Sequence, residues 1–143
     1  MSTVKRTWEE VLQLSDKLAN KIKETGIQID ILIGLARGGW IPTRLLSDRL
    51  GVKRITSIGL AYEDTSRTEL VAYSLPAEIK RGQYILLIED RLESGRSLKR
   101  ATEILEERGA LVLTACYFFR SDSVVTPDFY VDQTDDDIIF PWE

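Results

Sequence analysis

The sequence predicts an α/β fold: a mainly parallel sheet flanked by helices. Three observations carry this. Apolar runs at Asp30–Leu35, Ile85–Ile88 and Leu111–Phe119 alternate with stretches of helical spacing. The run Ile85–Ile88 lacks the polar alternation of a half-solvated strand, as expected of a central strand covered on both faces. Two of the runs pass through a glycine-containing turn into a helix, the strand–turn–helix order that yields a parallel sheet.

The totals bound the problem. The 143 residues, 43% apolar and 29% charged, suffice for one domain over 1–143 with its own core. A net charge of −4, from 19 basic and 23 acidic residues, gives no basic surface for nucleic acid or an anionic membrane. No apolar stretch is long enough for a membrane span and the N-terminus has no signal-peptide core. Cys116 is the only cysteine, so no internal disulfide forms, which suits a reducing, cytoplasmic setting. Its place in an apolar run makes it a small buried hydrophobe rather than a nucleophile. There is no histidine, which excludes Ser-His-Asp and Cys-His catalysis and His-ligated zinc. Any metal is then hard and oxygen-bound, with Mg²⁺ the first candidate.

In chain order, Thr7–Thr25 places Trp8, Val11, Leu12, Leu18 and Ile22 at helical spacing, with a Thr7/Glu10 capping box and Gly26 as the stop. Asp30–Leu35 is a strand. It leads through Ala36-Arg37-Gly38-Gly39-Trp40 into a helix over Ile41–Leu50, with Pro42 in its first turn. Adjacent glycines let a backbone approach a ligand, and Arg37 offers a planar fork for phosphate oxygens. A plain β–α turn with a surface arginine would use the same residues. Arg54–Leu60 is the next strand. Tyr62–Thr68 is a polar loop carrying Arg67, either a mobile flap or a solvated connection, and Glu69–Leu75 is a further strand. A helix over Ser97–Arg108 aligns Leu98, Ala101, Ile104 and Leu105. Leu111–Phe119 is a buried strand ending at Arg120, Asp128–Val131 a short strand, and Asp132–Glu143 the tail.

The stretch Tyr84–Leu98 organises the rest. The strand Ile85–Ile88 ends in Glu89 and Asp90, at the carboxyl edge where open α/β sheets bind ligands. The loop Glu93-Ser94-Gly95-Arg96-Ser97 opens a helix and offers hydroxyls and backbone N–H groups at its positive end, a phosphate cradle. Ser94 or Ser97 capping the helix is the purely structural use of the same residues. Two acids beside a phosphate cradle suit a ligand with vicinal hydroxyls and a phosphate, a ribose 5-phosphate.

Together these features resemble the type I phosphoribosyltransferases. ILLIEDRLESGRSL resembles the family's strand, acid pair and phosphate loop, and LARGGWIP its pyrophosphate loop. The tail FYVDQTDDDIIFPWE is similar to that of the xanthine/hypoxanthine-guanine branch, and the resemblance implies a small hood formed by the C-terminal segment and a loop. The resemblance implies transfer of the 5-phosphoribosyl group from phosphoribosyl pyrophosphate (PRPP) to a purine base, most often a 6-oxopurine, with Mg²⁺ as cofactor and a homodimer or higher homo-oligomer, while the acidic balance speaks against a nucleic-acid partner. It implies that Glu89 and Asp90 hold the ribose hydroxyls and face the metal, Asp90 most directly. Ser94, Gly95, Arg96 and Ser97 would bind the 5′-phosphate. Glu93 would exchange a proton with the base. Arg37 and Gly38 would bind pyrophosphate, behind an Ala36–Arg37 peptide that is often strained or cis in the family. Arg67 would close over the pyrophosphate. Arg120 would contact the 6-oxo group, and the backbone of Ile138 the 2-substituent.

The sequence departs from the family pattern at several of these positions. Glu89 and Glu93 replace the commoner aspartates, and Ser94 and Ser97 replace threonines. Arg91 stands at a usually apolar position, and Asp137 where the branch has a base-stacking tryptophan, unless Phe140 or Trp142 takes that part. Two readings follow: an active phosphoribosyltransferase, favoured because the whole constellation is present, or a PRPP- or nucleotide-binding sensor on the same fold.

Overall fold

The two shorter, wholly apolar runs, not the longest, sit at the centre of the sheet. The structure, a computed structural model, describes residues 2–143. Among these, seven strands form one sheet. β2 (Ile31–Leu35) and β5 (Tyr84–Ile88) lie side by side at its centre, with β3 (Ile55–Tyr62) and β4 (Leu70–Ser74) beyond β2 and β7 (Leu111–Phe119) beyond β5. β8 (Phe129–Gln133) pairs with β7, and the two-residue β6 (Arg91–Leu92) also runs beside β7 at Phe118 and Phe119. Every pairing is parallel except the β3–β4 hairpin. The mainly parallel α/β architecture expected from the sequence is therefore the observed one.

Burial on β5 alternates between two cores with the two-residue period of a strand. Leu86 and Ile88 pack on one face with Val11, Leu18 and Ile22 of α1 (Trp8–Glu24) and Leu46 of α2 (Trp40–Leu50). Ile85 and Leu87 pack on the other with Leu98, Ala101 and Leu105 of α3 (Arg96–Glu107). Cover on both faces is why the run shows no polar alternation. Cys116 is buried in the second core, and burial pushes its thiol pKa up, as a small hydrophobe requires.

The Thr7/Glu10 capping box forms at the start of α1, as expected. The packing face differs from the expected one. Val11, Leu14, Leu18 and Ile22 are buried, whereas Trp8 and Leu12 are exposed, Trp8 resting against the ring of Trp142. Helices α2 and α3 each begin one residue earlier than expected, at Trp40 and Arg96.

A separate two-stranded parallel sheet joins β1 (Thr3–Lys5) to β9 (Asp137–Ile139), with Val4 opposite Ile138. This is the C-terminal hood, and the N-terminal strand that completes it was not foreseen. No helix among the described residues is long and apolar enough to cross a membrane.

Candidate functional site

The chain leaves β2 through α2 toward β3 on one side, and leaves β5 through α3 toward β7 on the other. The carboxyl ends of β2 and β5 thus flank the crevice where an α/β sheet reverses its winding, the place such sheets bind ligands. Gly34 is opposite Ile88, so the turn after β2 and the acids after β5 meet there.

That turn carries a cis peptide between Ala36 and Arg37, as the family resemblance implied. Gly38 lies against the acids: a Cβ on it would sit 2.7 Å from both Asp90 carboxylate oxygens and from Glu89 Oε1. A Cβ on Gly39 would meet the Ile88 carbonyl and the Leu35 backbone. Gly39 is therefore required by the close approach of backbone, whereas a side chain at Gly38 would have to displace the two carboxylates.

Glu89 N–H donates to Ala115 O at 3.0 Å, and Tyr117 N–H to Asp90 O at 3.0 Å, so the sheet ladder holds both acids. Asp90 is 8% exposed. Its Oδ1 accepts from Arg91 N–H at 2.6 Å and its Oδ2 from the Trp142 indole N–H at 3.2 Å. Glu89 Oε1 accepts from Asp90 N–H at 3.1 Å. Burial, and then the neighbouring Asp90 charge, push the Glu89 carboxyl pKa well above its ordinary 4.5. A cation, or a ligand's hydroxyl donors, would relieve that repulsion.

The loop after β6 turns at Gly95, in the left-handed region at φ 78°. A Cβ there would run into the Ser123 hydroxyl, a second reason for glycine. Gly95, not Ser94 or Ser97, is the residue at the helix cap, and no side chain caps α3. Ser94 Oγ instead accepts from Arg96 N–H at 3.3 Å. No acid stands in the first turn of α3, so this uncapped positive end is chemically suited to an anion.

One cleft of about 800 Å³ collects these pieces. Of the residues singled out from the sequence, Arg37, Gly38, Glu89, Asp90, Glu93, Ser94, Gly95 and Ser97 line it. Arg67 and Arg96 do not. Both guanidiniums lie over the Tyr62 ring, at 5.0 and 5.5 Å from its centroid, on the loop side. Arg120, Asp137 and Ile138 also stand outside the cleft lining, at its far end: Arg120 Nη2 is 4.0 Å from both Glu93 Oε1 and Asp137 Oδ1. Asp137 is exposed and begins β9, while Ile138, the next residue of that strand, is buried.

Two aromatic residues line the cleft: Trp40, to which no part in it was assigned from the sequence, and Trp142, one of the two aromatic residues that could take the part of the base-stacking tryptophan. Trp142 stacks on Phe140 at 4.7 Å and 9°, and Phe140 is core. The signal was the Pro-Trp-Glu ending, which sequence alone could not separate from C-terminal packing. Arg91 and Glu143 line the cleft as well. Glu143 takes Arg91 Nη1 and Nη2, each at 2.9 Å, and also Phe140 N–H at 2.8 Å.

A metal fits only in part on protein groups. Among the described residues no three Asp, Glu, Cys or His side chains converge. Glu89 and Asp90 offer two hard carboxylates, which suits Mg²⁺ completing its shell with water and phosphate oxygens.

The phosphoribosyl transferase domain family matches residues 6–143. Among curated relatives, the xanthine-guanine phosphoribosyltransferase of Gluconobacter oxydans is 23% identical over 142 residues, covering 96% of this chain and 82% of that protein. The orotate phosphoribosyltransferase of Bartonella tribocorum is 36% identical over 110 residues, 76% of this chain and 53% of that protein. The chain spans about half the length of the orotate relatives it matches. Among solved structures, a purine phosphoribosyltransferase from Pyrococcus horikoshii Ot3 aligns with a TM-score of 0.90 at 30% identity, covering 100% of this chain and 95% of that one. The Helicobacter pylori xanthine-guanine-hypoxanthine phosphoribosyltransferase aligns at 0.88 and 23% identity, covering 99% and 94%, a likeness of fold.

Proposed function

The chain belongs to the phosphoribosyltransferase family, and on that premise we propose that it transfers the 5-phosphoribosyl group of PRPP to a 6-oxopurine base. The observation that carries this is the contact of Gly38 with the Glu89 and Asp90 carboxylates, in one cleft with the uncapped start of α3. A ribose flanked by a pyrophosphate and a 5′-phosphate has matching groups at the same three points.

In this reading the bond from ribose C1 to the pyrophosphate oxygen breaks, and the pyrophosphate leaves with the electron pair. A ring nitrogen of the base forms the new C1–N bond. Arg37 and the Gly38 backbone receive the departing charge. Glu89 and Asp90 accept from the ribose hydroxyls, and the loop Ser94–Ser97 holds the 5′-phosphate by hydroxyl and backbone donors. The proton lost by the base passes to Glu93, which is exposed at the base end of the cleft. Mg²⁺ held through Asp90 and Glu89 would supply charge neutralisation on the pyrophosphate. Arg67, which rests over the Tyr62 ring, closes over the pyrophosphate when its loop moves. Arg120, Asp137 and Ile138 form the base end.

A purine acceptor is supported by the Pyrococcus likeness, and a 6-oxopurine by the Gluconobacter one. The orotate relatives favour a pyrimidine acceptor as the second reading. A panel of hypoxanthine, guanine, xanthine, adenine, uracil and orotate, assayed with PRPP and Mg²⁺ for pyrophosphate release, decides between them. Thermal stabilisation by PRPP without turnover on any base would replace the enzyme with a sensor. The absence of both signals would overturn the ribose-phosphate site.

A further inference from the structure

Arg91 and Glu93 meet on one side of the buried Leu92. Arg91 opens β6 and Leu92 closes it, so the two-residue alternation of a strand sends Leu92 into the core, 3% exposed, and turns its two neighbours toward each other at the cleft. The Arg91 guanidinium is fastened on its far side. Its Nη1 donates to the Ile138 carbonyl at 2.7 Å and to Glu143 Oε2 at 2.9 Å, and its Nη2 lies 2.9 Å from Glu143 Oε1. Glu143 is itself held by Phe140 N–H at 2.8 Å. A guanidinium has five N–H donors. Three are engaged by Ile138 and Glu143. The two left, Nε–H and one on Nη2, belong to the edge that faces Glu93, whose Oε1 is 3.5 Å from Nε. Arg120 Nη2 is 4.0 Å from the same oxygen. Both distances exceed a good hydrogen bond, so the carboxylate is held by charge and its lone pairs stay open.

We propose that Arg91 is a positioning residue for Glu93: anchored by Glu143, it holds the Glu93 carboxylate where that group takes the base proton. This rests on the phosphoribosyltransferase reading of the site, in which Glu93 is the proton acceptor. The Glu93 side chain is 57% exposed, so packing does not choose its rotamer, and a free glutamate spreads over many. A fixed positive charge beside one of its oxygens narrows that spread. An exposed ion pair of this kind adds little to stability. In a reacting group, however, a displacement of about 1 Å can cost about 10²-fold in rate. The pair is therefore read in kcat. PRPP binding is spared, because the Arg91 N–H that Asp90 Oδ1 accepts belongs to the main chain and does not depend on the side chain.

A double-mutant cycle tests this. With PRPP, Mg²⁺ and the base turned over fastest in the panel above, kcat and KM are measured for the wild type, Arg91→Leu, Glu93→Gln and the double variant. Arg91→Leu should lower kcat about tenfold and leave KM for PRPP within about twofold. In the Glu93→Gln background it should cost nothing further, because the group it positions is already gone. Losses that multiply in the double variant overturn the proposal, since Arg91 would then act on the base or the fold without Glu93. So does an unchanged kcat in Arg91→Leu. If Arg91→Leu does not fold, Glu143→Gln takes its place in the cycle: it keeps Arg91, loosens its anchor, and should lower kcat about threefold with Glu93 present and not at all without it. Multiplying losses, or none, overturn the proposal there too. A wild-type rate in Glu93→Gln overturns the proposal and leaves the transferase reading intact. No turnover by the wild type on any base overturns both.

Discussion

The Trp142 indole N–H donates to Asp90 Oδ2 at 3.2 Å, although the two residues are 52 positions apart. The same indole stacks on Phe140 and touches Trp8, so one side chain joins the hood, the start of α1 and the acid at the end of β5. Trp142→Phe keeps the stack and removes the donor. It should lower stability by about 1–2 kcal/mol, the worth of a hydrogen bond to a charged group. Trp142→Ala, which also loses the stack, should cost about 2–4 kcal/mol. Denaturant unfolding of the two variants measures the difference.

Gly38 and Gly39 are adjacent but should fail differently. In Gly38→Ala the new methyl meets only carboxylate oxygens, which can swing away, so the protein folds with displaced acids. The expected cost in stability is about 1–2 kcal/mol, with PRPP stabilisation lost. In Gly39→Ala the methyl meets the backbone of Ile88 and Leu35, which cannot yield. That variant should be poorly folded or insoluble. Circular dichroism and a PRPP thermal shift on both variants distinguish the two cases.

Glu93 carries the proton transfer in the proposed reaction and contributes little to the fold, since it is exposed. Glu93→Gln should lower kcat about 10²-fold or more and leave the thermal shift with PRPP unchanged. Turnover at the wild-type rate would remove it from the mechanism.

Two acids at the cleft should respond to pH in opposite senses. Burial and the Asp90 charge raise the Glu89 pKa above 4.5, so its favourable contribution is full below that pH and is lost as pH rises through the folded-state value. Glu89→Gln should therefore be more stable than the wild type at neutral pH, the gap closing in acid. Burial alone would raise the Glu143 pKa, but the Arg91 and Phe140 hydrogen bonds outweigh it and hold the pKa below 4.5. Its contribution is present above that value and is lost as pH falls through the folded-state one. Glu143→Gln should be less stable than the wild type at neutral pH and converge on it in acid. Melting curves from pH 3 to pH 8, an interval of about the carboxylate range and above, read both.

Much of this was legible from residue order. Leu111–Phe119 was read with both ends correct, because nine apolar and β-favouring residues lie between Gly109-Ala110 and Arg120. Thr7 and Glu10 announced the start of α1 by their spacing. β1, β6 and β9 were missed, since two or three residues cannot display a period and their pairing is set by distant partners. The inward face of α1 was misjudged at Trp8 and Leu12 because an apolar residue at helical spacing says nothing of which elements lie opposite. Arg91 was visible as a departure from the family, but not the contacts it makes. The Glu143 carboxylate and the Ile138 carbonyl that hold it lie 52 and 47 positions away.

The pairing of Gly34 with Ile88 bears on how this protein breathes. The two halves of the cleft hang from the ends of the two most central strands, whose side chains, Tyr84 apart, are almost wholly withdrawn from water. Their amides should exchange with solvent only when the whole molecule opens. A ligand gripping both halves would then slow exchange at β2 and β5 by its full binding factor, while the β3–β4 hairpin, joined by the exposed Tyr62 loop, would keep exchanging through local openings.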